Sequence, residues 1–456
     1  MLYPYLYRKK VSNRITAYFH PLTMDVVFAP DTVSDEGLEA FLAGTGLARH
    51  WAVEPSFSYD DYVDAFLAST EYGRIDIKTL KMFTTTECNL ACAYCLIEKN
   101  LEKRGCACRN TSLKDGIEVL DRFSKLCLSQ EPARRTIMLY GGEPLMNRDT
   151  LIALIRHIRE VEKAGGFNGS VEIDLECNGT LVTDEIAEFL KEYGVFILIS
   201  LDGTREVHNT YRKTKTGEGS YDAARRGYDT LIRHGCTAVI SSVFTDAYAA
   251  HASECLAEMT DVIRPKSIGL NIFHVLEDQE IEHDRTPELL DIYVKVFEDA
   301  RAKGLYIEHI MRRIRPLVTR MIRVSDCGAC GNRIVSDVEG NIGICEGLVG
   351  DSRYFLKRTD YNDVKSDPEF LAWSVRTPLK MECCRGCRAM GICGGGCVSN
   401  AIRQHGNIYA PDDYSNSFIE SAFSGIQVTG RRRERNLRAG RLRHRPARLV
   451  YFKGSG

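Results

Sequence analysis

The stretch Lys81-Met-Phe-Thr-Thr-Thr-Glu-Cys88-Asn-Leu-Ala-Cys92-Ala-Tyr-Cys95 decides how the rest of the chain is interpreted. Three cysteines spaced C-x3-C-x2-C can offer three thiolates to one metal centre. A structural zinc site takes four protein ligands, and a cubane iron–sulfur cluster normally takes four cysteines. The motif therefore indicates either an incomplete site or a centre with one position left for another molecule. Three unrelated buried thiols are the alternative, because free cysteine packs as a small hydrophobe.

Strand-like and helix-like runs alternate from residue 76 onward. The strand candidates are Ile75–Thr85, Thr136–Tyr140, Val171–Glu176, Phe196–Leu201, Ala238–Phe244 and Ile268–His274. Helical patterns separate them, such as the one-sided apolar set Leu151, Leu154, Ile155 and Ile158. This alternation predicts parallel strands with right-handed crossovers, hence an α/β barrel or a doubly wound sheet. In barrels the chemistry lies at the C-terminal ends of the strands, and the three cysteines follow the first strand.

Turns with glycine or polar residues follow the next three strands. The second strand ends in Tyr140-Gly141-Gly142-Glu143-Pro144, and the third in Asn178-Gly179-Thr180. The fourth is followed by Ser200-Leu-Asp202-Gly203 and then by His208 and Arg212. Glycines allow a ligand to approach the backbone closely, and the planar fork of an arginine suits a carboxylate. Taken singly, each is an ordinary turn; in this order and at these strand ends, they indicate a shared site.

These motifs together resemble the radical S-adenosylmethionine (SAM) enzymes, whose signature is C-x3-C-x-aromatic-C after the first barrel strand. The resemblance implies a partial (β/α)6 TIM-type barrel. It also implies a [4Fe–4S] cluster on Cys88, Cys92 and Cys95, with SAM bound to the open iron. In the family, the GGEP segment meets the methionine amino group, the serine meets the ribose and the arginine meets the methionine carboxylate. The residues expected to bind the cofactor are Tyr94, Gly141, Gly142, Glu143, Asn178, Ser200 and Arg212.

Cysteines return in the final third of the chain in a pattern that resembles the SPASM extension, which holds two auxiliary [4Fe–4S] clusters. The resemblance implies that one auxiliary set consists of Cys327, Cys330, Cys345 and Cys397, and the other of Cys384, Cys387 and Cys393. With the first cluster, this gives up to three clusters. A zinc ribbon that joins the Cys327 and Cys384 pairs remains open on spacing alone.

The second auxiliary set lacks a fourth cysteine. Ser415 stands where the family pattern has one, and no cysteine follows Cys397. Cys383 is the other candidate, but neighbouring side chains of an extended chain point to opposite sides. We therefore expect that Cys383 contributes little and that this cluster is labile, because serine is a harder ligand than a thiolate.

Residues 1–75 predict a small α+β domain that resembles the winged-helix peptide-recognition element of enzymes that modify ribosomal peptides. Two β-rich runs, Ile15–Phe19 and Met24–Phe28, form a hairpin pattern, and two amphipathic helical patterns follow. Such an element captures a leader peptide as an added strand. A packing cap on the barrel is the alternative. The remaining predicted units are the barrel at 76–310, the SPASM domain at 311–425 and an Arg-rich tail at 426–456.

Composition favours redox chemistry in a reducing compartment. The chain has 17 cysteines and no signal peptide or membrane-spanning stretch at the sequence level, so we expect a cytoplasmic protein with metal sites rather than disulfides. The net charge is −2, yet residues 431–456 are strongly basic, which leaves an acidic body. An acidic body argues against nucleic-acid binding, and the basic tail is expected to be disordered.

The predicted function is a radical SAM/SPASM enzyme that generates a 5′-deoxyadenosyl radical to modify a peptide oxidatively. The product would be a thioether or carbon–carbon crosslink in a ribosomally made peptide, and a flavodoxin or ferredoxin would supply single electrons. Glu346 follows Cys345 where sulfatase-maturing relatives carry an acidic general base; an exposed surface glutamate is its alternative. Two rival functions are formylglycine formation of the sulfatase-maturase type and a non-catalytic iron–sulfur electron carrier or zinc scaffold.

Overall fold

The computed structural model describes residues 6–34, 37–43, 51, 58–70, 72–272, 286–387 and 389–412. The predictions for Ser415 and for the tail at 426–456 lie outside these residues, as does the end of the sixth predicted strand at His274.

A nine-stranded sheet forms the centre of the described structure. Its six longest strands follow one another along the chain: β4 (Thr79–Thr85), β5 (Arg135–Gly141), β6 (Val171–Cys177), β7 (Phe196–Ser200), β8 (Thr237–Phe244) and β9 (Ser267–Ile272). Each of these strands pairs with the next in parallel. The predicted α/β architecture, with six consecutive parallel strands of a partial barrel, is confirmed.

Helices connect the strands and cover one face of the sheet. They are α3 (Leu96–Lys103), α4 (Leu113–Leu128), α5 (Arg148–Lys163), α6 (Asp184–Glu192), α7 (Arg205–Tyr211), α8 (Tyr221–Arg233), α9 (Asp246–Ala250) and α10 (Ala252–Ala257). Hydroxyl side chains cap the starts of some of them: the side chain of Ser112 accepts from the Asp115 backbone N–H, and Thr183 does the same for Ile186. The predicted apolar stripe of α5 is buried in the main core.

Alternate residues of the strands face opposite sides. In β5 and β6, Ile137, Leu139, Ile173 and Leu175 are fully buried in the core that includes the helices. The intervening side chains lie on the other, concave face, which we call the lumen face, and Lys81, Tyr140 and Glu176 meet one another there.

Short strands from the later part of the chain extend the sheet at both ends. These are β10 (Tyr306–Ile307), which pairs in parallel with β9, and β11 (Arg333–Ser336), which pairs in parallel with β4. A hairpin partner, β12 (Ile342–Gly343), runs antiparallel to β11. The two helices before β11 are α11 (Thr286–Ala302) and α12 (Glu308–Thr319). A strand from beyond the predicted boundary at residue 310 therefore belongs to the barrel sheet.

The N-terminal part is a three-stranded antiparallel sheet with helices; the sequence predicts the hairpin and the helices but not the first strand. It contains β1 (Tyr7–Ser12), β2 (Ile15–His20), β3 (Asp25–Pro30), α1 (Leu38–Ala43) and α2 (Tyr59–Ala68). Helix α2 packs against the cysteine-rich third: Tyr59 contacts Leu379 and Met390, and its hydroxyl donates to the Leu379 carbonyl at 3.1 Å. Phe19 and Met24 likewise pack on Ile392.

The cysteine-rich third has little regular structure. Its helices are α13 (Pro368–Ser374) and α14 (Val398–His405), with 3-10 turns at Glu346–Leu348, Tyr361–Lys365 and Glu382–Cys384. Among the described residues, no helix has the length and apolar character needed to cross a membrane.

Candidate active site

The loop that carries Cys88, Cys92 and Cys95 begins directly after β4 and is held by its backbone. The Ala91 N–H donates to the Lys213 carbonyl at 2.8 Å, and the Ala93 N–H donates to the Tyr211 carbonyl at 3.0 Å. The chain after Cys95 continues as α3, of which Cys95 is the N-cap residue. The loop therefore has a fixed course, although all three cysteines keep part of their surface exposed.

The three thiols share one small region. Burial raises the pKa of Cys88 to about 11 and that of Cys92 to about 12, and the Cys95 thiol acts electrostatically on both. Burial also raises the pKa of Cys95. The free thiols therefore stay protonated at neutral pH, and a metal centre that takes them as thiolates must displace their protons.

The Gly141–Glu143 segment holds the cysteine loop in place. The Gly142 N–H donates to the Thr85 carbonyl at 2.9 Å, and the Glu143 N–H donates to the Glu87 carbonyl at 2.8 Å. A Cβ on Gly142 would lie 2.2 Å from the Glu87 carbonyl oxygen. Only glycine permits this approach, so the segment fixes the backbone that leads into Cys88.

The side chain of Glu143 joins the second and third strand ends. Its carboxylate accepts hydrogen bonds from the Asn178 N–H at 2.6 Å and the Leu145 N–H at 3.0 Å. Burial nonetheless raises the pKa of Glu143 to about 7. Asn178 in turn donates to the Asn89 side chain at 2.8 Å, and its Nδ2 lies 4.0 Å from the Cys88 sulfur. The predicted cofactor residues of these two turns thus surround the first cysteine.

Arg212 and Tyr94 meet at a carboxylate that the sequence analysis did not include in the site. Arg212 Nε lies 2.8 Å and Nη2 3.3 Å from the two carboxylate oxygens of Asp202. The Tyr94 hydroxyl also donates to Asp202, and the Arg212 guanidinium lies 5.3 Å from the Tyr94 ring centroid. Asp202 is 1% exposed. The Ser-Leu-Asp-Gly turn was a signal for Asp202, because it places a carboxylate at a strand end. Its partner Arg212 lies ten residues further along the chain, so the turn did not reveal the pair.

Asp202 keeps Arg212 beside the cysteine loop. Burial alone would raise the pKa of Asp202, but Arg212 outweighs it and holds that pKa below the usual range. Burial raises the pKa values of Cys92 and Cys95, and the positive charge of Arg212 opposes this rise without cancelling it. Ser200, half-buried at the end of β7, lies opposite Ser241 of β8.

The described thiols of the final third lie in two groups, and their assignment to two sets of cluster ligands stays a prediction. The thiols of Cys345 and Cys327 act on Cys397, whose pKa is raised first of all by burial. Cys327 and Cys330 are hydrogen-bonded neighbours, and Cys327 acts on Cys345 as well. In the other set, the thiols of Cys393 and Cys387 act on Cys384.

The reasoning that set Cys383 aside is wrong. Glu382–Cys384 is a 3-10 turn rather than an extended segment. The sulfurs of Cys383 and Cys384 lie 3.9 Å apart. Cys383 is exposed and also lies 3.9 Å from the Tyr409 carbonyl. It is the thiol within the described residues that could complete the second set.

Glu346 lies on the lumen face in a network of charges. It is 3.2 Å from Lys81 Nζ and 2.8 Å from Arg333 Nη2. Burial alone would raise the pKa of Glu346, but Arg333 and Lys81 hold it far below the usual range. The alternative of an exposed surface glutamate is therefore wrong, whereas its role as a general base stays a prediction.

Lys81 links Glu346 to the barrel wall. Its ammonium group is 3.4 Å from Glu176 Oε1 and 3.7 Å from the centroid of the Tyr140 ring. Burial alone would lower the pKa of Lys81, but Glu176 and Glu346 raise it above the usual range. Sequence analysis missed both Lys81 and Arg333. Lys81 gave one signal, since it is a charged residue within an apolar strand.

Comparison with known proteins identifies the barrel. Residues 82–248 match the family model described as the Radical SAM superfamily. The barrel is therefore a radical SAM domain. A curated relative is the radical SAM cyclopropyl synthase TigE of Paramaledivibacter caminithermalis, 20% identical over 366 residues, which cover 78% of this chain and 75% of TigE. Other curated relatives are anaerobic sulfatase-maturating enzymes.

Two solved structures share the fold. The first is native anSMEcpe with bound AdoMet, with a TM-score of 0.65 and 19% identity, covering 80% of this chain and all of that one. The second is SuiB of Streptococcus suis bound to the precursor peptide SuiA. Its TM-score is 0.54 and its identity 14%, over 91% of this chain and 99% of that one. These likenesses show that the chain shares its fold with both proteins.

Radical SAM enzymes use a [4Fe–4S] cluster and SAM, and the residues at the end of β4 fit these groups. Three thiols at one loop offer soft ligands suited to iron and sulfide, and Arg212 supplies a positive charge next to them. In the described parts of the chain, no three Cys, His, Asp or Glu side chains converge as a single metal ion would require. A cubane distributes its thiolates over separate irons, so it does not require that convergence.

Proposed function

We propose that this radical SAM enzyme oxidatively modifies a peptide, forming a thioether or carbon–carbon crosslink in a ribosomally made precursor. The observation that carries the proposal is the sorting of the later cysteines into two separate sets beside the barrel. One of them leads through Cys345 directly to Glu346 on the lumen face. Two one-electron sites next to a substrate chamber suit an oxidation in which the substrate gives up an electron after it has lost a hydrogen atom.

The proposed roles of the site residues follow from their contacts. Cys88, Cys92 and Cys95 would hold the cluster, and the Gly141–Glu143 backbone fixes the loop that presents them. When bound, the cluster and SAM supply the one-electron chemistry that removes a hydrogen atom from the substrate. Arg212, oriented by Asp202, would receive the carboxylate of SAM.

A proton must also leave when the oxidised substrate forms its new bond. Glu346 is ionised and lies on the lumen face, so it is the proposed acceptor. Its two cations make it a weak base in the resting arrangement, and we propose that the substrate weakens one of these contacts before the proton moves.

The N-terminal sheet is the proposed site for the leader peptide. Its strand order β1-β2-β3 leaves two edge strands, and an extended peptide can add to such an edge. SuiB, which shares the fold, has been solved with its precursor peptide bound. Val26 on β3 is 43% exposed and offers an apolar contact.

Formylglycine formation on a protein serine or cysteine is the second candidate. The sulfatase-maturating relatives favour it, as does the acidic residue directly after Cys345. Both candidates need a single-electron donor, for which a flavodoxin or ferredoxin is proposed, and a reducing compartment such as the cytoplasm, in which thiols stay available for cluster assembly.

Production of 5′-deoxyadenosine by the reduced, cluster-reconstituted protein tests the chemistry. Replacing Cys88, Cys92 and Cys95 together by alanine should abolish it. The matched control replaces Cys106 and Cys108, which belong to none of the predicted ligand sets, and should retain it. Continued SAM cleavage by the triple variant would refute the cofactor assignment.

Peptide products distinguish the two candidates. Short peptides encoded beside the gene and a synthetic sulfatase peptide are each incubated with the enzyme and analysed by tandem mass spectrometry. A crosslink removes hydrogen without creating a carbonyl, whereas formylglycine reacts with a hydrazide probe. Reaction of the sulfatase peptide alone would refute the crosslinking proposal.

A further inference from the structure

The two auxiliary cysteine sets are in direct backbone contact. Asp326 precedes Cys327 of the first set, and Gly394 follows Cys393 of the second. A Cβ on Gly394 would lie 2.6 Å from the Asp326 backbone nitrogen and 2.5 Å from the Ser325 carbonyl carbon. The residue at 394 must therefore be glycine for the loops to touch, and its φ of +71° is one that glycine adopts readily.

A second link runs through Arg323. Its backbone N–H donates to the Gly391 carbonyl at 2.8 Å, close to Cys393. Its guanidinium donates to the backbone carbonyl of Asp326 and lies 3.1 Å from the Asp326 carboxylate. Arg323 thus links the loop of the second cysteine set to Asp326, which directly precedes the first cysteine of the first set.

Asp326 is a buried charge between the two sets. It is 7% exposed, and Arg313 of α12 lies 3.9 Å from its carboxylate in addition to Arg323. The guanidinium groups of Arg313 and Arg323 pair with the Asp326 carboxylate and hold it as an anion. Asp326 directly precedes Cys327, and its backbone nitrogen lies against Gly394, the neighbour of Cys393, so its charge lies close to a cysteine of each set.

We propose that Asp326 is a shared potential-setting residue, whose carboxylate lowers the reduction potentials of both auxiliary clusters together. The inference rests on the proposed function, because it requires auxiliary clusters at these cysteines. Reduction adds a negative charge to a cluster, and a buried carboxylate nearby opposes it in a medium of low dielectric constant. Net charge around a cluster is among the factors that set its potential. A single charge in contact with both loops would shift the two reduction potentials in the same direction.

The test is a potentiometric titration of the reconstituted full chain, followed by electron paramagnetic resonance. Asp326→Asn should shift both auxiliary couples toward the reduced form by on the order of tenfold in the oxidised-to-reduced ratio, about 59 mV for a one-electron couple. Asp326→Glu, which keeps the charge, should stay near the wild-type potentials. Arg323→Gln, which removes the opposite charge, should shift the second couple the other way.

Asp351→Asn is the matched control. Asp351 is also 7% exposed and is held by Arg353 at 2.7 Å and Arg104 at 3.4 Å. It should leave both auxiliary potentials unchanged, which separates a charge effect from general loosening of the fold. The cluster at the end of β4 should keep its potential in every variant.

The possible outcomes distinguish a failure of the proposed function from a failure of the inference about Asp326. Iron and sulfide analysis that finds no auxiliary clusters overturns both the proposed function and this inference. Two auxiliary clusters whose potentials do not move in Asp326→Asn, or of which only one moves, overturn the inference alone. If Asp326→Asn does not fold, unchanged potentials in Arg323→Gln overturn it instead.

Discussion

Replacing Lys81 by methionine should destabilise the barrel strongly. The ammonium group lies 3.2 Å from Glu346 and 3.4 Å from Glu176, with all three side chains mostly buried. At an effective dielectric constant of about 20, each contact has a gross attraction of roughly 5 kcal/mol. Much of this is offset by desolvation. Breaking a buried pair and leaving its partner uncompensated costs about 3–5 kcal/mol.

Glu346 keeps Arg333 as a partner, so the uncompensated group is Glu176 and the lower value of about 3 kcal/mol applies. In a barrel of this size, that corresponds to a fall of about 6–12 °C in the unfolding midpoint. Scanning calorimetry of the anaerobically reconstituted enzyme measures it. Replacing Lys99, which is exposed and pairs with Glu102 at 3.2 Å, should cost less than about 1 kcal/mol.

A double variant isolates the cause. Adding Glu176→Gln to Lys81→Met removes the uncompensated carboxylate and should recover on the order of 1 kcal/mol. An equal midpoint for the Lys81 and Lys99 variants would refute the reasoning, as would a double variant less stable than Lys81→Met alone.

Four further outcomes follow. Burial raises the pKa of Asp174 to about 7, helped by Glu172 and Glu176 and opposed by Arg134 and Lys81. Because this pKa is higher in the folded than in the unfolded protein, the free energy of unfolding falls as the pH rises toward 7. Asp174→Asn should therefore gain stability over wild type between pH 6 and pH 8 in calorimetry; no such gain contradicts it. Cys383→Ala should lose iron from the second auxiliary set on Mössbauer analysis, and unchanged iron excludes it as a ligand. Gly142→Ala should raise the KM for SAM at least about tenfold, whereas Gly105→Ala, with open space around its Cβ, should not. Val26→Glu should weaken binding of a labelled precursor peptide but leave SAM cleavage without peptide unchanged. Val318, 79% exposed on α12, is the control. An equal loss of peptide binding in Val318→Glu would argue against the sheet edge as the binding site.

The sequence was sufficient for the six long strands because each has a run of apolar residues followed by a turn. The two auxiliary cysteine sets came from the resemblance to the SPASM extension rather than from spacing, and they stay a prediction. β1 was missed because Tyr7–Ser12 is mostly polar, and β11 because four residues give no periodicity.

The charge network on the lumen face could not have been read from spacing. Lys81 and Glu346 are 265 residues apart, and the pairing of β4 with β11 helps to bring their surroundings together. The expectation about Cys383 rested on an assumption about the local backbone. The expectation assumed extended backbone, in which adjacent side chains point to opposite sides, whereas in a 3-10 turn they are only about 120° apart.

The pairing of β11 with β4 also has a consequence for synthesis on the ribosome. Strand β4 is made early, yet the partner on its outer edge consists of residues 333–336. Until that segment leaves the ribosome, β4 offers an open edge able to pair with other nascent chains. Shortened genes that stop near residue 310 should therefore give aggregated protein, and expression hosts that slow translation or supply chaperones should improve the yield of the complete chain.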